Sequence, residues 1–208
     1  MSYLHRKPMA ADSCGVIQHI TPQNAHWEYV GFDVVLLKPG QSAKFASGHS
    51  TELCAVLLSG RADLATLEQR FTSVGARTSV FAALPPYALY LPPGETLTVT
   101  ALTELELALC RAPAQGGLPV RLITPDDCVQ ETRGQGTNTR QVCNILFANL
   151  PAERLLITEV ITPAGHWSSY PPHKHDRDAR HFLSGNILRG CGGAKPPLTP
   201  PEMTPRPA

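Results

Sequence analysis

Two histidines near the carboxyl end of the chain have the type and spacing of metal ligands. His173 and His175 are separated by one residue and follow Pro171 and Pro172, which hold the backbone extended. Side chains alternate between the faces of a β-strand, so both imidazoles point to one side and Lys174 points to the other. Two neighbouring imidazoles form half of a site for a first-row transition metal. The spacing therefore predicts a divalent-metal site that needs further ligands.

The elements that must position this pair are strands. Short apolar or alternating segments are closed by glycine and proline turns, a pattern typical of all-β sandwiches and barrels. Residues 62–69 fit either a strand or a helix, and no segment shows a long helical period. Strands are predicted over residues 27–37, 52–58, 71–74, 79–81, 88–91, 96–101, 105–110, 120–123, 141–146 and 154–161.

Composition excludes several classes of function. The chain has 208 residues, a net charge of +1 and a pI near 7.7, so it has no basic footprint for nucleic acid or an acidic membrane. It contains neither an apolar run of roughly 20 residues, as a membrane span requires, nor the apolar core of a signal peptide. Its six cysteines are scattered, which favours reduced, buried thiols over a disulfide framework. We expect a cytoplasmic protein that binds no nucleic acid and no membrane.

Three strings of the sequence resemble one enzyme family. They are residues 2–8 (Ser-Tyr-Leu-His-Arg-Lys-Pro), residues 133–146 (beginning Arg-Gly-Gln-Gly-Thr-Asn-Thr-Arg) and residues 165–176 (Gly-His-Trp-Ser-Ser-Tyr-Pro-Pro-His-Lys-His-Asp). Glycine-bounded strands, a Pro-Gly turn and a His-x-His at a strand end are similar to cupins, which are small β-barrels. The strings themselves resemble the 5-deoxy-glucuronate isomerase family of myo-inositol catabolism. The resemblance covers about residues 1–178.

This resemblance implies a fold and a reaction. Family members are bicupins, with two tandem cupin (double-stranded β-helix or jelly-roll) barrels and the metal in the second. Here that implies an N-terminal barrel over residues 1–112, a linker over residues 112–118 and the first part of a C-terminal barrel over residues 119–178. The reaction implied is the aldose–ketose isomerisation of 5-deoxy-D-glucuronate to 2-deoxy-5-keto-D-gluconate by an intramolecular oxidoreductase.

The same resemblance implies roles for particular residues. His173 and His175 would hold a divalent metal, zinc or manganese, which polarises the carbonyl and adjacent hydroxyl of the open-chain sugar acid and stabilises an enediolate. The partner is a small anionic sugar acid, and its carboxylate calls for a guanidinium, for which Arg140 and Arg133 are the candidates by chemistry. The alternative is that both are solvated loop arginines. The sequence identifies neither the catalytic base nor the oligomeric state.

The first barrel has a weaker version of a metal motif. Gly40, His49, Glu52 and Gly60 are similar to a cupin metal motif, but Ser47 stands where the first histidine of a His-x-His would be. His49 and Glu52 could still bind a metal. We favour a degenerate structural barrel without one.

The chain departs from the family pattern after residue 178. Family members continue with an acidic loop, a glutamate ligand and a later histidine ligand, whereas residues 179–208 diverge and end in a proline-rich run that no central strand tolerates. We expect a truncated or frame-shifted second barrel, a disordered tail over residues 179–208 and impaired isomerisation. The alternatives are an inactive, truncated cupin that serves at most as a sugar-binding module, and a related uronate ketol-isomerase.

Overall fold

A computed structural model of the chain describes residues 7–26 and 29–168, and the regular secondary structure of these residues is almost entirely β-strand. A one-turn helix, α1 (Pro22–Ala25), and 3-10 turns at Pro125–Asp127 and Gly136–Asn138 interrupt the strands. The strands of this part are β1 (Val16–Ile20), β2 (Gly31–Leu37), β3 (Ser42–Ala46), β4 (Thr51–Ser59), β5 (Ala62–Ala65), β6 (Arg70–Val74), β7 (Ala88–Leu91), β8 (Thr96–Ala101), β9 (Leu105–Pro113), β10 (Arg121–Ile123), β11 (Val129–Arg133), β12 (Arg140–Leu146) and β13 (Ile157–Ile161).

The described strands form three antiparallel sheets. A six-stranded sheet has the order β1-β2-β9-β4-β7-β10, a four-stranded sheet has the order β3-β8-β5-β6, and a three-stranded sheet has the order β11-β12-β13. The six-stranded sheet lies in the middle, because each of its faces contributes to a separate apolar core.

The first core fills the space between the six-stranded and four-stranded sheets. Alternation along β4 points Leu53, Ala55 and Leu57 into this core. Phe45 on β3 and Leu97 on β8 approach from the opposite sheet, and both are buried. Two sheets packed face to face bury the apolar face that each sheet alone would expose to water. The predicted all-β class, with cupin-type barrels, is confirmed for the described residues.

The second core joins the first barrel to the three-stranded sheet. The other face of β4, with Cys54, Val56 and Leu58, is as deeply buried as the face that lines the barrel. Its neighbours in this core include Ile145 of β12 and Ile157 of β13. The three-stranded sheet therefore depends on the outer face of the barrel for one side of its packing.

The predicted strands compare closely with the observed ones. The bounds of β7 and β8 coincide with the prediction, and residues 62–69 form β5 followed by a turn. The strand predicted over residues 79–81 is wrong. Ala82 N donates to Ser79 O and closes a turn there, and Pro85 and Pro86 follow, so the segment forms a loop instead of a ladder.

The six-stranded sheet contains strands from both sides of the linker expected at residues 112–118. Strand β9 continues to Pro113, and β10, beyond the linker, pairs antiparallel with β7. The division into units at residues 1–112 and 119–178 stays a prediction. The tail expected over residues 179–208 lies outside the described residues.

Among the described residues no helix is long and apolar enough to cross a membrane. The cytoplasmic location expected from the sequence stays a prediction.

Candidate functional site

The predicted metal ligands His173 and His175 lie outside the described residues. The described residues end at Ser168. The segment just before it is hydrogen-bonded to the loop that joins β11 to β12. Trp167 N donates to Thr137 O at 2.8 Å, and His166 Nδ1 is hydrogen-bonded to Thr139 O at 2.8 Å. His166 and Trp167 therefore lie beside the loop end of the β11–β12 hairpin.

Arg133 and Arg140 are brought together at that same end of the hairpin. Arg133 ends β11, Arg140 begins β12, and the two are direct partners across the strand pair. Gly134 shapes the loop between them with φ of 85°, and a β-carbon there would lie only 2.0 Å from Asn138 O. A larger residue would collide with the Asn138 carbonyl and force this loop open, so the tight connection between the two strands requires glycine here.

The two arginines differ in their contacts. Arg133 Nη2 donates to Glu131 Oε1, and Arg140 Nη1 donates to Asn138 O at 3.0 Å. The Arg133 guanidinium, followed by the Asn144 amide, holds the pKa of Glu131 below its usual range. Glu131 is therefore a carboxylate at neutral pH and offsets part of the positive charge.

One face of the three-stranded sheet carries these polar residues and points away from the second core. Direct pairing puts Arg133 opposite Arg140 and Glu131 opposite Val142, so both pairs share a face. Asn144 lies on this face as well, with its amide Nδ2 donating to Glu131 Oε1 at 2.7 Å. The opposite face carries Cys143 and Ile145, which belong to the second core. We call the face with Arg133, Arg140 and Asn144 the polar face.

Three buried acceptors at the polar face and its end have no hydrogen-bond partner within the described part of the chain. They are Asn144 Oδ1, Asn138 Oδ1 and Thr162 Oγ1. Thr162 directly follows Ile161, which pairs with Gln141, so it lies next to Arg140 in the register. Buried polar atoms are nearly always paired in folded proteins, so unpaired ones indicate a missing partner. Sugar hydroxyls are donors of the kind these oxygens lack.

The described residues hold no group of three or more histidine, cysteine, aspartate or glutamate side chains that could bind a metal. Glu52, considered as a ligand in the first barrel, has another role. Its side chain is fully buried on the outer face of the barrel, where Oε2 accepts from Tyr90 OH at 2.7 Å and from Glu153 N at 3.1 Å. Oε1 accepts from Arg154 N at 2.8 Å and from Leu155 N at 2.7 Å. His49 is exposed in the turn before β4. Glu52 is thus a structural residue.

A buried ion pair also escaped the sequence analysis. Arg77 donates to Glu159 through Nη1 at 2.8 Å and Nη2 at 2.7 Å, and its Nε donates to Leu58 O at 2.8 Å. Both side chains are almost completely buried. One signal in the sequence could have indicated this pair. Glu159 is a charged residue within the largely apolar strand Ile157–Ile161, and a charge buried in a strand needs a partner.

The fold defines a β-barrel protein with a further three-stranded sheet packed on the outer face of the barrel. The chain belongs to the KduI/IolB family, whose model matches residues 3–184. A curated 5-deoxy-glucuronate isomerase of Geobacillus thermodenitrificans is 47% identical over 163 residues, which are 78% of this chain and 59% of that protein. The 5-deoxy-glucuronate isomerase of Bacillus velezensis is 41% identical over 190 residues, which are 88% of this chain and 70% of that protein.

A solved structure is similar as well. The crystal structure of an IolB-like protein from Salmonella typhimurium LT2 superposes with a TM-score of 0.73 at 49% identity, covering 77% of this chain and 60% of that one. The chain thus spans about three-fifths of the Geobacillus and Salmonella proteins. The family resemblance drawn from the sequence strings is confirmed.

Proposed function

We propose that this chain binds 5-deoxy-D-glucuronate on the polar face and takes part in its isomerisation to 2-deoxy-5-keto-D-gluconate. The observation that carries the proposal is the direct pairing of Arg133 with Arg140 beside unpaired buried acceptors. Membership of the KduI/IolB family, with relatives that are 5-deoxy-glucuronate isomerases, supplies the substrate and the reaction.

The carboxylate of the substrate would lie between the two guanidinium groups. Like charges directly opposite each other in a strand pair are destabilising. Glu131 is hydrogen-bonded to Arg133, whereas Arg140 donates to the Asn138 carbonyl. A bound carboxylate would relieve this repulsion and accept charge-assisted hydrogen bonds. Arg140 is the residue we assign first to carboxylate binding, with Arg133 second.

The hydroxyl groups of the sugar acid would reach the unpaired oxygens. Asn144 Oδ1 and Thr162 Oγ1 can each accept one hydroxyl proton. An open-chain sugar acid carries a carboxylate at one end and hydroxyls along its length, which suits arginines at the hairpin end and acceptors next to them. These contacts would orient the substrate and limit its freedom before reaction.

The metal proposal depends on His173 and His175, because the described residues supply no ligand cluster of their own. If the two imidazoles share a strand face, as the His-x-His spacing predicts, they would suit zinc or manganese and would need at least one further ligand from elsewhere. When bound, the ion would supply Lewis-acid polarisation of the reacting carbonyl and hydroxyl. We assign no catalytic base among the described residues.

The isomerisation rate should be well below that of a full-length relative. The described residues hold no cluster of metal ligands, and a site without its metal-supporting groups typically has about 10–100-fold lower affinity or activity. Proton NMR of 5-deoxy-D-glucuronate incubated with this chain and manganese or zinc tests the proposal, with the Bacillus velezensis enzyme as the positive control. We expect slow conversion that H173A/H175A abolishes. Saturable binding without conversion would favour the sugar-binding module, and the absence of both would overturn the proposal.

A further inference from the structure

The contacts proposed to bind the sugar acid do not include a group that moves a proton between two of its carbons. A candidate for that group lies in the turn that follows β13. His166 N donates to Pro163 O at 3.1 Å and closes this turn, and His166 Nδ1 is hydrogen-bonded to Thr139 O at 2.8 Å. Thr139 directly precedes Arg140, the first residue of β12. The imidazole ring therefore lies at the end of the sheet where the carboxylate of the substrate is proposed to bind.

The hydrogen bond to Thr139 determines which nitrogen of the ring carries the proton. A carbonyl oxygen can only accept, so Nδ1 of His166 must be the donor. In the neutral ring Nε2 then holds the lone pair, and it lies on the opposite side of the imidazole from Nδ1. Nε2 has no hydrogen-bond partner within the described part of the chain, and His166 is only partly buried. The ring is thus held in one tautomer, with an accessible nitrogen that can take up a proton.

In the described part of the chain, the segments beside His166 offer no second group of this kind. The loop over residues 134–139 and the segment over residues 162–168 contain neither a carboxylate nor another histidine. Glu131, on the polar face, accepts from Arg133 and from the Asn144 amide, and these contacts lower its pKa. A carboxylate stabilised in this way is a poor proton acceptor. His166 is therefore the residue at this end of the sheet that is best suited to accept a proton.

We propose that His166 is the proton-transfer residue of the isomerisation, an inference that rests on the proposed function. Nε2 takes the proton from the carbon that bears the hydroxyl next to the aldehyde. The electron pair of that C–H bond forms the C=C bond of an enediolate, and the carbonyl electrons move to the aldehyde oxygen. His166 then returns the proton to the former aldehyde carbon. A carbonyl forms at the neighbouring carbon as its hydroxyl proton moves to the other oxygen, so substrate and product have the same composition.

Asparagine is the matched replacement for His166, because its amide Nδ2 can still donate to Thr139 O but it offers no basic nitrogen. The test follows conversion of 5-deoxy-D-glucuronate by the full chain with manganese, using proton NMR, and measures binding by calorimetry. We expect H166N to bind the sugar acid within about 2-fold of the wild type but to convert it about 100-fold more slowly or less, as loss of a proton-transfer group predicts. The same substitution at a histidine of β1, H19N, should change neither quantity.

A second variant, H166A, separates a chemical role from a structural one. Added imidazole should restore part of the conversion by H166A and should have no effect on the wild type, because it replaces only the missing proton acceptor. H166N decides the matter if H166A does not fold. Conversion by H166N at the wild-type rate, or no rescue of folded H166A by imidazole, would overturn the role of His166 and leave the proposed function in place. Absence of conversion by the wild type would instead overturn the proposed isomerisation, and the role of His166 with it.

Discussion

Arg77 and Glu159, 82 residues apart in the chain, form a buried bidentate ion pair that joins the first barrel to the three-stranded sheet. Removing one partner leaves the other charge buried without compensation, which typically costs about 3–5 kcal/mol. We expect E159Q to lower the free energy of unfolding by that amount. The double variant R77M/E159Q should lose less than the sum of R77M and E159Q, because it leaves no buried charge.

Urea unfolding of the wild type, the two single variants and the double variant measures this coupling. E131Q is the matched control, since it breaks the Arg133–Glu131 pair, whose side chains are 42% and 38% exposed. An exposed pair contributes about 0–1 kcal/mol. Two results would contradict this account: equal losses of unfolding free energy in E131Q and E159Q, or a loss in the double variant equal to the sum of the R77M and E159Q losses. Either result would show that the buried Arg77–Glu159 pair has no energetic coupling.

Glu52 should hold the segment at residues 153–155 against the outer face of the barrel. Its carboxylate accepts three backbone N–H groups of this segment and the Tyr90 hydroxyl. In E52Q an amide NH₂ must face at least one of these donors, so we expect faster hydrogen exchange at the amides of residues 153–155. Y90F removes a single hydrogen bond to a charged group, with an expected loss of about 1.5–3 kcal/mol. Unchanged exchange at these amides in E52Q would contradict this role.

Stability should fall at alkaline pH because of the buried thiol of Cys110. Burial, as the main cause, raises its pKa from the usual range to about 12. In the unfolded chain this thiol loses its proton near about pH 8.5, whereas in the folded protein it keeps the proton to about pH 12. The unfolded state then binds fewer protons, so stability is fully present below the unfolded pKa and decreases as pH rises through this window. Urea unfolding should show a shallower decrease between about pH 8.5 and 11 in C110A, and an unchanged slope would refute the assignment.

The sequence predicts the fold better than the site, for physical reasons. Strands β7 and β8 were predicted with correct bounds because their apolar residues are consecutive in β7 and alternate in β8, and because the turn at Pro92, Pro93 and Gly94 separates the two strands. Strand β11, Val129–Arg133, escaped prediction because its polar residues are mostly exposed and give no apolar period. Strand β3, Ser42–Ala46, escaped because only Ala43 and Phe45 mark its buried face.

The roles of charged residues depend on which face of a strand is covered, and no local pattern reveals that. Glu52 was weighed as a metal ligand, yet it lies on the same face of β4 as Cys54, and this face packs against the three-stranded sheet. The Arg77–Glu159 pair joins segments far apart in the chain, so spacing could not indicate it. Arg133 and Arg140 were named because guanidinium chemistry suits a carboxylate, and that inference required no long-range contact. Their assignment to substrate stays a prediction.

Asn144 should contribute to binding of the sugar acid through its unpaired Oδ1. A neutral hydrogen bond contributes about 0.5–1.5 kcal/mol, so N144A should weaken binding by about 2- to 10-fold. Gln141 is the matched control, because it lies on the same strand with its side chain on the opposite face, bonded to Thr132. Equal affinities of N144A and Q141A for 5-deoxy-D-glucuronate would exclude Asn144 from the site.

Calorimetric titration of 5-deoxy-D-glucuronate into the full chain, with manganese present, tests the central claim most directly. The account predicts saturable binding that R140Q weakens by about 10- to 100-fold, since a charge-assisted hydrogen bond contributes about 1.5–3 kcal/mol. R70Q, which changes an exposed arginine on β6 of the first barrel, should bind as the wild type does. Added salt should weaken wild-type binding more than R140Q binding. Equal affinities of the wild type and R140Q, or the absence of saturable binding, would contradict the assignment of the polar face as the sugar-acid site.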